Sequence, residues 1–65
     1  MNKNVEIIYK TMRKKSHGLL FDLAEVCKEF PQYSAQKLSA YLMEMKREGL
    51  LKNVVKNGVN VYKIT

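Results

Sequence analysis

Apolar residues open the chain at Val5, Ile8, Tyr9 and Met12, the i, i+3, i+4, i+7 spacing of one helix face. Asn4 stands where a capping side chain is expected. Lys14 and Lys15 end the segment, where cations suit the helix dipole, and Ser16-His17-Gly18 supplies the stop. A second stripe runs through Leu20, Leu23, Ala24, Cys27 and Phe30 within residues 19–30, and Pro31 ends it. Its start has two readings. Either the helix begins at Leu19, or Asp22 caps it with Glu25 three residues on, and 19–21 is a short strand leading in. Gln32 and Tyr33 connect to a third helix over 34–48, capped by Ser34. Its apolar stripe is Leu38, Tyr41, Leu42 and Met45, and Gly49 is its left-handed stop.

After Gly49 the period changes from helical to alternating. Two β-rich runs, 50–56 and 59–64, flank Asn57-Gly58, a pair that suits a type I′ turn because both central residues need positive φ. A two-residue turn fixes the pairing. Lys56 then faces Val59, Val54 faces Val61 and Lys52 faces Lys63 on one side of the ribbon. Leu51, Asn53, Val55, Asn60, Tyr62 and Ile64 share the other side, with core contacts through Leu51, Tyr62 and Ile64. The expected fold is mainly α with a small C-terminal β-hairpin, as one domain over 1–65, since 65 residues support a single core.

Several residues carry a resemblance on top of this order. They are Leu23-Ala24 in the second helix, the spacing Leu38, Leu42, Met45, Gly49-Leu50-Leu51, and the closing Val61-Tyr62-Lys63-Ile64-Thr65. The chain resembles the winged helix-turn-helix superfamily, of the small prokaryotic, archaeal or phage regulator type, over nearly its whole length. Members often end the recognition helix as Leu-x-x-Leu-x-x-x-Gly-Leu-[Ile/Val] and close the wing with Tyr-x-[Leu/Ile]-Thr. Met45 stands here in place of the second leucine. The resemblance implies a transcription regulator that binds double-stranded DNA and has no catalytic activity. The third helix would lie in the major groove and the wing, 50–64, on the backbone or minor groove.

The buried stripe of the third helix leaves Gln36, Lys37, Ser39 and Ala40 outward. Given such a fold, Gln36 can pair bidentately with adenine and Lys37 can reach guanine or phosphate. Ala40 departs from the family, which often has arginine or a large polar residue nearby, but alanine can touch a thymine methyl. Tyr33 and Ser34 at the helix entrance, and Lys52, Lys56, Asn57, Asn60 and Lys63 on the wing, complete the expected DNA-facing set. Tyr33 equally suits packing between helices.

The formal net charge of +6 favours a polyanionic partner, and its distribution sharpens that expectation. Residues 1–15 carry Lys3, Lys10, Arg13, Lys14 and Lys15 against Glu6, a balance of +4. Residues 16–30 carry Lys28 against Asp22, Glu25 and Glu29, a balance of −2. Residues 31–48 carry Lys37, Lys46 and Arg47 against Glu44 and Glu48, a balance of +1. Residues 49–65 carry Lys52, Lys56 and Lys63 with no acid, a balance of +3.

Other classes find little support. One cysteine, Cys27, allows no internal disulfide, and with His17 as the sole histidine no structural zinc site forms. Cys27 is assigned to the core of the second helix. No phosphate-binding glycine loop or nucleophile constellation is present, so no cofactor, metal or small-molecule ligand is expected. No apolar run spans a bilayer and no secretory signal is visible, so a cytoplasmic protein that avoids membranes is expected. Self-association through the first helix, by Ile7 and Tyr9, would suit a palindromic site. The competing reading is a winged-helix protein-interaction module using the acidic second helix and Val54, Val59 and Val61. An RNA binder stacking bases on Tyr33 and Tyr41 ranks third, because the aromatics are few.

Overall fold

The structure, a computed structural model, describes residues 2–65. It holds three helices, α1 (Lys3–Ser16), α2 (Leu23–Glu29) and α3 (Ala35–Arg47), followed by strands β1 (Leu51–Lys56) and β2 (Val59–Ile64) paired as an antiparallel hairpin. The expected order of elements is present, with differences at two helix starts.

The cap of α1 is Asn2, whose Oδ1 accepts from the Asn4 N–H at 2.8 Å, so Asn4 is not the cap the sequence pattern assigned. Asn4 lies inside the first turn, which frees its amide for contacts elsewhere. Val5, Ile8 and Met12 are buried as expected, and Ser16 joins them. His17 closes the helix in the left-handed region at φ 50°.

Asp22 caps α2, its Oδ1 accepting from the Glu25 N–H at 3.0 Å. The strand leading in is a single residue: Phe21 and Tyr62 exchange backbone hydrogen bonds of 2.9 and 2.7 Å, and their rings lie 5.9 Å apart. Because the helix starts at Leu23, its buried stripe differs from the expected one. Val26 is fully buried, Phe30 nearly so, and Leu23 and Cys27 flank them half-buried. Ala24 is exposed, and Leu20, outside the helix, is 43% exposed, so neither belongs to the stripe. Cys27 therefore sits at the core margin.

Ser34 caps α3, its Oγ accepting from the Lys37 N–H at 3.1 Å, and Leu38, Tyr41, Leu42 and Met45 are all buried. The helix ends in a Schellman arrangement, with Leu50 N–H donating to Met45 O at 2.9 Å and Gly49 N–H to Lys46 O at 3.1 Å. Gly49, at φ 75°, makes that reversal without a Cβ penalty.

The hairpin has the expected register, Leu51–Ile64, Lys52–Lys63, Val54–Val61 and Lys56–Val59. Asn57 and Gly58 take φ of 52° and 77°, as a type I′ turn requires. Leu51 and Ile64 close the core beneath α1 and α3. The closing threonine locks the base of the ribbon: Thr65 N–H donates to Leu50 O at 3.0 Å and its hydroxyl to Gly49 O at 2.7 Å. Among the described residues, no helix is long and apolar enough to cross a membrane.

Candidate nucleic-acid interface

With Leu38, Tyr41, Leu42 and Met45 turned inward, the helical period puts Gln36, Ala40, Met43 and Arg47 in line on the opposite face of α3. All four are exposed. Lys37 lies on one flank of this line and Lys46 on the other, each about a quarter-turn away, and both are exposed. Ser39 also lies on the Lys46 flank. It is half-buried and joins Leu42, Met43, Lys46, Asn53 and Tyr62 around a shallow crevice of about 90 Å³ between α3 and the hairpin. The crevice meets the ribbon on its Asn53–Tyr62 side, while the ribbon lysines stand on the opposite side.

On the ribbon, Lys52, Val54 and Lys56 of β1 and Val59, Val61 and Lys63 of β2 share one side. The lysines are exposed, and Lys52 stands directly opposite Lys63. Asn57 forms the tip, and Asn60 lies exposed on the other side, opposite Val55. Asn53 braces the ribbon from that second side, its Nδ2 donating to Val61 O at 3.2 Å.

Among the described residues, no cation of α3 or the ribbon is in an ion pair. Among the described residues, ion pairs join Lys10 to Glu6 at 3.0 Å and Lys15 to Glu29 at 3.1 Å, both away from α3 and the ribbon. The hairpin contains no acid, and Glu44 and Glu48 fall on the Lys37 flank of α3. No family model, curated protein or solved structure matches this chain. The surface must therefore be read from its own chemistry.

The expected DNA-facing residues divide into three groups. Gln36, Lys37, Ala40, Lys52, Lys56, Asn57, Asn60 and Lys63 are exposed on α3 and the ribbon. Ser34 is exposed with its hydroxyl held as the helix cap, and Ser39 looks toward the crevice. Tyr33 is turned inward: its hydroxyl donates to Asn4 Oδ1 at 3.1 Å and its ring meets Tyr41 edge-on at 5.8 Å. Met43, Lys46 and Arg47 were missing from the sequence-derived set. Extending the wheel from Gln36 by seven and eleven residues reaches Met43 and Arg47, so the period that found the buried stripe also contained them.

Proposed function

We propose that this chain is a winged helix-turn-helix module that binds double-stranded DNA and acts in transcription regulation. α3 enters the major groove, and the hairpin lies against the backbone or minor groove. One observation carries the reading: Lys37, Lys46, Arg47, Lys52, Lys56 and Lys63 are all exposed on two adjoining elements, and among the described residues none is in an ion pair. Unpaired exposed cations on neighbouring elements suit a line of phosphates. The Phe21–Tyr62 bridge supports the fold assignment, since it makes the segment before α2 a third partner of the hairpin.

The module works by binding, with no chemistry of its own, and its place is the cytoplasm, where a free Cys27 stays reduced. A second copy docked through α1 would supply a second half-site. Ile7 is exposed for that purpose, although Lys3, Lys10 and Lys14 share its stripe. The protein-interaction reading draws on Val54 and Val59, 44% and 53% exposed on the outer ribbon.

Titration of duplex DNA at several salt concentrations separates the two readings. About five phosphate contacts give a slope of log affinity against log salt near −4 to −5. A chain that ignores duplex DNA at low salt is not a DNA-binding module.

A further inference from the structure

We propose that α3 selects A·T-rich duplexes by placing Ala40 and Met43 against thymine C5-methyl groups. This rests on the DNA-binding reading and adds a substrate class to it.

The outward line of α3 is chemically uneven. Gln36 offers an amide, Ala40 and Met43 are apolar, and a cation appears only at Arg47 in the last turn. Met43 is 63% exposed, so its thioether is free to conform to what meets it. The major groove offers each base a different counterpart. Guanine N7 and O6 call for a central arginine or lysine, and cytosine N4 calls for a carboxylate. The central line supplies neither at the end of the helix that enters the groove. It supplies an amide that matches adenine N6 and N7, followed by two apolar groups that match the thymine methyl.

The flanks fit the same docking. Lys37 and Lys46 stand on either side of the line, where the two phosphate walls of a groove would run. Glu44 and Glu48 lie two and three turns beyond Lys37 on its flank; Glu44 is level with Met43 but turned off the central line. A lone exposed methionine needs no explanation. One aligned with Gln36 and Ala40 between two lysines is placed as a base-reading residue would be.

Fluorescence anisotropy of the full chain tests this with three duplexes of equal length: an A·T-rich duplex, the same duplex with every thymine replaced by deoxyuridine, and a G·C-rich duplex. The thymine duplex should bind tightest. Removing the methyls should weaken binding about fourfold for each methyl touched, with the salt slope unchanged because the phosphates are the same. The double variant Met43→Ser, Ala40→Ser alters two exposed positions, and circular dichroism checks that it stays folded. It should bind the thymine and deoxyuridine duplexes equally. Equal affinity of the unaltered chain for those two overturns the inference and leaves DNA binding standing. So does a difference that survives in the double variant, since duplex shape would then be its source. No binding to any of the three overturns the inference together with the reading beneath it.

Discussion

Asn4 holds two phenols at once. Its Nδ2 donates to the Tyr41 hydroxyl and its Oδ1 accepts from the Tyr33 hydroxyl, each at 3.1 Å. The trio ties the first turn of α1 to the middle of α3 and to the loop before it. Both phenols are at least partly buried, so losing the amide leaves their hydroxyls poorly solvated. Asn4→Ala should therefore cost about 1–2 kcal/mol, and Tyr33→Phe, which removes one bond and keeps the ring, about 0.5–1.5 kcal/mol. In a domain this small, each kcal/mol lowers Tm by roughly 4–8 °C. Thermal unfolding followed by circular dichroism reads both variants. An Asn4→Ala chain that melts with the unaltered protein would show that the trio holds nothing.

The elements differ in how much their stability depends on one residue. α2 has seven residues, too few to stand without tertiary contacts, and Val26 is its only fully buried side chain. Val26→Ala should destabilise the domain by about 2 kcal/mol, whereas Cys27→Ala, at the margin of the core, should cost under about 1 kcal/mol. Urea unfolding of the pair checks the ranking, and a larger loss at Cys27 would contradict the observed stripe. α2 was also the element least legible in the sequence. Leu19 and Leu20 carry apolar side chains but stand outside the helix, and including Leu20 turned the expected stripe away from Val26. The hairpin was fully legible, because a two-residue turn and a period of two leave one register. α3 was legible on its inner face. Its outer face was read only through the first turns, which left out Met43, Lys46 and Arg47. The Asn4 network had no sequence signal, since it joins residues 29 and 37 positions apart.

For the whole molecule, charge sets stability and binding against each other. The net charge is +6, the ribbon contains no acid, and the Lys52–Lys63 pairing brings like charges together. Screening shortens the reach of that repulsion from roughly 10 Å at 0.1 M salt to roughly 3 Å at 1 M. Added salt should therefore raise the Tm of the free protein by a few degrees while weakening its hold on DNA by a power law. Lys63→Gln separates the two effects. It removes the opposed pair, so the free protein should gain up to about 1 kcal/mol at low salt and show a flatter dependence of Tm on salt. It also removes one cation from the ribbon face, so the DNA salt slope should fall by about 0.9 if that face meets the backbone. A variant that gains stability yet keeps the full slope would show that the outer ribbon stands clear of the DNA, leaving α3 to bind alone. A gain in stability together with a shallower slope would mean that a phosphate relieves the Lys52–Lys63 repulsion in the complex.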